Sequence, residues 1–148
     1  MLNQPLDILL VEDNEGDVEM VQDALDGYTP SCNLFVVKDG REALDYLFRH
    51  GKFPSATLPN LILLDLNMSG MDGIILLKII KDDERLKTIP VVVLTSSKAP
   101  SDILEAYARH ANCYVVKPFD GKEFTNAIRQ TVHFWKVLVQ LPHVAATL

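Results

Sequence analysis

The chain has 148 residues, a net charge of −6 and a sequence pI of about 5.1. Hydrophobic residues make up 48% and charged residues 23%; this suits one globular domain with a real core, and the acidic balance argues against a nucleic-acid-binding surface. No basic segment followed by an apolar core opens the chain and no apolar run approaches the ~20 residues of a bilayer span, so a cytoplasmic protein with no membrane partner is expected.

The two cysteines, Cys32 and Cys113, show neither a CxxC pair nor Cys/His metal spacing. They read as free thiols in a reducing compartment.

Apolar strand-like runs alternate with helix-like segments. Ile8–Val11 is a first strand ending in Glu12-Asp13, after which Asn14 can cap a helix carrying Val18, Val21 and Leu25. Leu34–Val37 is a second strand, Asp39-Gly40 a turn, and Ala43, Leu44, Leu47 and Phe48 mark the next helix. Residues 50–60 are rich in Gly, Pro, Ser and Thr; a loop this long suggests mobility or a partner contact. Leu61–Leu64 is a continuous apolar run of the kind buried on both faces of a parallel sheet, and it ends in Asp65. Gly73 opens an apolar helix that ends in solvent at Lys81–Arg85.

Pro90–Thr95 is the fourth strand, with Pro tolerated at its first position. Ser101 can cap a helix with Ile103, Leu104 and Tyr107. Cys113–Val116 is the fifth strand and runs into Lys117-Pro118. His50 and His110 read as helix-end surface residues. Asp120 with Glu123 resembles a capping box, followed by a stripe of Phe124, Ile128, Thr131, Trp135 and Leu138. The alternation predicts βαβ units and an α/β, doubly wound, five-stranded parallel sheet in a single domain over 1–148. Apolar residues beyond Trp135 exceed what one core face needs and suggest an interface.

In a parallel sheet all carboxyl ends share one edge, so Glu12, Asp13, Asp65, Thr95 and Lys117 become neighbours. Like charges ~4 Å apart repel by roughly 4 kcal/mol at a surface-like dielectric, and a divalent cation resolves this. Oxygen ligands favour Mg²⁺, with Mn²⁺ as the alternative. Such a site suits a phosphoryl group, with Lys117 and the Thr95 hydroxyl on its oxygens and an Asp65 carboxylate oxygen attacking phosphorus.

Glu12-Asp13, Asp65, Thr95 and Lys117-Pro118, in this order at these strand ends, resemble the receiver domain of two-component response regulators over residues 5–135, leaving 136–148 as an extension. The resemblance implies the flavodoxin-like strand order 2-1-3-4-5. It implies Asp65 as phosphoacceptor, with Glu12, Asp13 and the Asn67 backbone carbonyl as further metal ligands. It also implies Thr95 and Tyr114 as a switch pair, a cis Lys117–Pro118 peptide, and Gly73 as the glycine that lets the loop close. Ser69 departs from the family's usual Pro.

Val11–Val18, the 50–60 loop, His110–Tyr114 and Phe134-Trp135 are similar to the single-domain regulators of cyanobacterial and bacterial phytochromes. That narrower resemblance implies a phytochrome-type sensor histidine kinase as partner. It also implies a homodimer through the fourth helix, fifth strand and fifth helix, with Tyr107, Tyr114, Trp135 and Leu138 as interface candidates. The protein would then be no enzyme in the ordinary sense, only a self-catalysed phosphoacceptor. Two competing readings are weaker. An Asp-nucleophile phosphatase of the haloacid-dehalogenase type needs a second Asp where Asn67 stands, and a pseudo-receiver should have lost an acid or Lys117.

Overall fold

The computed structural model describes residues 4–28, 31–68 and 70–142. Each apolar run becomes a strand: β1 (Leu6–Val11), β2 (Cys32–Val37), β3 (Leu61–Leu64), β4 (Val91–Thr95) and β5 (Cys113–Val116). They form one parallel sheet in the order β2-β1-β3-β4-β5. Parallel neighbours need long crossovers, and helices supply them: α1 (Glu15–Leu25), α2 (Gly40–Phe48), α3 (Gly73–Asp82) and α4 (Pro100–Ala108), with α5 (Gly121–His133) following β5. The expected strand order and doubly wound class are both present. Every residue of β3 and β4 is buried, which is why those segments read as unbroken apolar runs, whereas edge strand β2 alternates.

Side-chain alternation splits the core into two layers. Leu9, Val11, Ile62, Leu64, Val91 and Val93 pack with Leu47, Leu76, Leu77 and Ile80. Ile8, Leu10, Leu61, Leu63, Val92 and Leu94 pack with Val21, Ala24, Phe124, Ile128 and Val132. Each such fully buried aliphatic side chain contributes roughly 1.5–3 kcal/mol.

Three helix starts are fixed by side-chain caps, each worth about 1 kcal/mol. Asn14 accepts from Asp17 N–H, Asp39 from Glu42 N–H and Asp72 from Ile74 N–H. The other two starts differ from expectation. Pro100 takes the first turn of α4, so Ser101 lies inside the helix and caps nothing; Ser97 Oγ instead accepts from Ala99 N–H. Asp120 precedes α5 without a side-chain cap bond, so the capping box does not form.

The 50–60 loop is anchored. Phe53, Ala56 and Leu58 pack against the first layer, the Tyr46 and Phe53 rings meet edge-on at 5.3 Å, and Arg49 Nε donates to Ala56 O. Lys81 also departs from its expected solvated role, because its ammonium donates to Lys87 O, Ile89 O and Asn112 Oδ1.

After His133 the α-helix widens into a single π-helical turn, Phe134–Leu138, closed by Val139 N–H on Phe134 O. Before this turn the core position falls at Val132, four residues after Ile128 on the regular helix, and Thr131 Oγ1 bonds back to Ala127 O. Trp135 and Leu141 pack against the second layer, and Phe134, Val137 and Leu138 face outward. Lys136 Nζ bonds Gln4 O, tying this segment to the start of the chain. The expected extension 136–148 is described only to Pro142, and Ser69 also lies outside the described residues.

Candidate functional site

The hydrogen-bond ladder builds the site by running one residue beyond the strands. Val11 stands opposite Val37 on one side and Leu64 on the other. Glu12 N–H then donates to Val37 O (3.0 Å) and Asp65 N–H to Val11 O (3.1 Å), so two acids sit side by side at the carboxyl edge. At β4 and β5 the same continuation joins Lys117 N–H to Thr95 O at 2.7 Å. Sequence-distant residues are brought together by register alone.

Gly73 closes the loop beneath them. A Cβ there would lie 2.6 Å from Asp65 O and 2.7 Å from Leu66 Cα, both backbone atoms with no freedom to retreat. Its N–H donates to Leu66 O at 3.3 Å, which brings the start of α3 against the turn that carries Asp65.

Carboxylate oxygens of Glu12, Asp13 and Asp65 lie within 4.8 Å of one another. Glu12 and Asp65 are buried. Burial, added to the neighbouring Asp65 carboxylate, pushes the Glu12 carboxyl up to about 7 despite Lys117 beside it. Lys117 Nζ lies 2.6 Å from Glu12 Oε1, 2.7 Å from Asp17 Oδ2 and 3.6 Å from Asp65 Oδ2. Burial works against its charge, but the bonds to Asp17 and Glu12 outweigh it, so its pKa is raised.

One lysine thus balances only part of the negative charge at this edge. An oxygen-only donor set that is short of positive charge fits a hard divalent cation. Glu12, Asp13 and Asp65 are the side chains that would hold it. Among the described residues no other such group of His, Cys, Asp and Glu occurs.

The remaining expected residues form a relay beside the acids. Asn67 N–H donates to Asp65 Oδ1 (3.1 Å), and Asn67 Nδ2 donates to Thr95 Oγ1 (3.2 Å). Thr95 Oγ1 also accepts from Ser97 N–H at 3.4 Å, and Tyr114 OH donates to Ser97 O at 3.0 Å. Tyr114 is half-buried, and its hydroxyl reaches the segment that Thr95 begins. Pro118 follows Lys117 at the same edge.

The interface candidates do not share one environment. Tyr107 and Leu138 are exposed, whereas Trp135 packs against the core. Leu104, which the sequence places only on the apolar stripe of α4, is 72% exposed, and Phe119, which no sequence signal marks, is fully exposed; both join the outward-facing apolar residues. The sequence reading also missed Asp17. Its one available signal is spacing: it lies one helical turn beyond Asp13, just inside the capped start of α1.

Among the described residues, no helix is long and apolar enough to cross a membrane. The protein-family model for the response regulator receiver domain matches residues 8–129. Response regulator Rcp1 of Synechocystis sp. is 40% identical over 140 residues, covering 95% of each chain. The crystal structure of the phosphorylated cyanobacterial phytochrome response regulator RcpA superposes with a TM-score of 0.91 at 40% identity, covering 94% of this chain and 99% of that one. The Mn²⁺-bound form of Rcp1 gives a TM-score of 0.89 at 40% identity, covering 93% and 99%. The fold, the strand-end acids and lysine, and these matches agree: the chain belongs to the response regulator receiver domain family of two-component signalling.

Proposed function

We propose that Asp65 is the phosphoacceptor of a single-domain response regulator, and that a histidine kinase of phytochrome type is its donor. The observation that carries this reading is the Lys117 ammonium set 3.6 Å from Asp65 Oδ2 within a triad of acids. An Asp65 carboxylate oxygen forms the new O–P bond as the bond from phosphorus to the donor's histidine nitrogen breaks. The Lys117 ammonium and the Thr95 hydroxyl donate to phosphoryl oxygens, so catalysis is positioning and electrostatics, with no proton to be moved at Asp65. Glu12, Asp13, Asp65 and the Asn67 carbonyl hold Mg²⁺, or Mn²⁺, which neutralises phosphoryl charge when bound. The similarity to Mn²⁺-bound Rcp1 supports a divalent ion of this kind.

The output is a changed surface. If Thr95 turns toward the phosphoryl group, it leaves Asn67 Nδ2 and disturbs Ser97, whose carbonyl holds Tyr114 OH. A new charge at one end of this relay therefore biases the packing at the other. Lys117–Pro118 is proposed as a cis peptide, and the protein as cytoplasmic. Exposed Leu104 and Tyr107 on α4, together with β5 as an edge strand, support a homodimer through α4, β5 and α5.

The test is intact mass after incubation with acetyl phosphate and Mg²⁺. Wild type gains one phosphoryl group and Asp65→Asn gains none; equal labelling of the two sinks the assignment. Sedimentation before and after labelling tests the dimer, and a monomer in both states ends that part of the reading.

A further inference from the structure

Lys117 is gripped by a carboxylate that neither the metal nor the phosphoryl group calls for. An ammonium has three donors. Two of them go to Glu12 Oε1 at 2.6 Å and Asp17 Oδ2 at 2.7 Å, while Asp65 Oδ2 at 3.6 Å lies beyond hydrogen-bonding range. Glu12 belongs to the acid triad and Asp17 does not. Nor is Asp17 a loose surface acid. Its N–H is held by Asn14 Oδ1 at 2.9 Å, α1 is packed through Val21 and Ala24, and its side chain is only 28% exposed.

We infer that Asp17 is a positioning residue: it tethers the Lys117 ammonium toward α1 and holds it 3.6 Å off Asp65 in the unphosphorylated protein, and this tether is stretched when a phosphoryl group on Asp65 draws the ammonium in. The inference rests on the proposed roles of Asp65 and Lys117. The tether and the phosphoryl oxygens compete for one ammonium, so Asp17 slows phosphoryl capture. A charge-assisted bond that is partly screened by solvent corresponds to about three- to tenfold in rate.

The experiment is the initial rate of Asp65 labelling by acetyl phosphate with Mg²⁺, in which the O–P bond to Asp65 forms as acetate leaves. Wild type, Asp17→Asn and Asp17→Glu are compared, and Asp17→Asn is repeated in a Lys117→Met background. Asp17→Asn labels about three- to tenfold faster. Asp17→Glu, which still offers a carboxylate, stays within about twofold of wild type. In the Lys117→Met background Asp17→Asn changes nothing, because the tether acts through the lysine. An acceleration that persists there overturns the inference, since it reports only the loss of a charge that repels the anionic donor. Should Lys117→Met not fold, the ratio of Asp17→Asn to Asp17→Glu decides, and a ratio of one overturns the tether. A labelled wild type that Asp17→Asn merely matches overturns the tether alone; a wild type unlabelled at Asp65 overturns the receiver chemistry and the tether with it.

Discussion

Lys117 and Lys81 sit at opposite ends of one sheet and are satisfied in opposite ways. Lys81, at the end of α3, gives its three donors to neutral oxygens: Lys87 O, Ile89 O and Asn112 Oδ1, beside the starts of β4 and β5. Lys117, at the end of β5, is surrounded by carboxylates. Burial lowers the pKa of Lys81, and no carboxylate offsets it. Burial acts on Lys117 in the same direction, yet Asp17 and Glu12 reverse the outcome. Neutral acceptors fix where an ammonium sits. Carboxylates fix how strongly it is charged, and they also compete with one another for it. The first arrangement is a staple, and the second can exchange partners.

Removing each lysine separates the two cases, and Lys117→Met has the larger effect. It strands buried Glu12 and Asp65 next to Asp17 and costs about 3 kcal/mol in metal-free protein at pH 8. The cost depends on pH through Glu12. Its folded pKa of about 7 lies above the ordinary value of 4.5. The stability tied to its protonated form is therefore complete below pH 4.5 and is lost as pH rises through 7. In the variant, which lacks the lysine that favours ionised Glu12, the folded pKa rises further, so the loss is larger and extends above pH 7. Denaturant titrations at pH 5 and pH 8 should show a small deficit and a large one, with Mg²⁺ recovering part of the second. A deficit equal at both pH values contradicts the charge-cluster account.

Much of that cluster was legible in the sequence, because apolar runs that end in Glu12-Asp13, Asp65, Thr95 and Lys117 place those residues on one edge once the strands are parallel. Asp17 was not, since its meaning depends on where α1 lies relative to β5. Lys81 was misread for a related reason. Within Lys81–Arg85 it looks like one more solvated charge, and only the fold brings Ile89 and Asn112 to it. The π-helical turn escaped because periodicity assumes an unchanged pitch. Of the caps expected from sequence, Asn14 bonds its own helix, whereas Ser101 lies behind Pro100 inside α4 and Asp120 makes no cap bond; the caps at Asp39 and Asp72, where the sequence shows only a turn and the glycine that opens α3, come from the structure.

Lys81→Met is expected to be milder and indifferent to both pH and metal. It leaves two backbone carbonyls and Asn112 Oδ1 without their ammonium donor, although Asn112 Oδ1 still accepts from Val91 N–H at 2.8 Å. The cost is about 2 kcal/mol, seen as a melting point lower by roughly 4–8 °C for a chain of this size. Acetyl phosphate labelling of Asp65 should stay at the wild-type rate. A change in labelling would mean that the two ends of the sheet are coupled and that Lys81 is more than a staple.

The finest test converts one surrounding into the other. Asn112→Asp keeps the shape of the side chain and its acceptor for Val91 N–H, but gives Lys81 an ionised partner at the 3.0 Å contact. Position 112 is exposed, so solvent screens the pair and the desolvation cost of the new carboxylate is small. The net gain is therefore at most about 1 kcal/mol. The informative quantity is the Lys81 ammonium, whose pKa should rise from its lowered position and acquire the same direction of shift as Lys117. Titration of the Lys81 side chain by NMR in the wild type and the variant reads this directly. If the pKa stays low while the melting point rises, then the new carboxylate has strengthened the Val91 contact alone, and partner charge does not set the contrast between the two lysines.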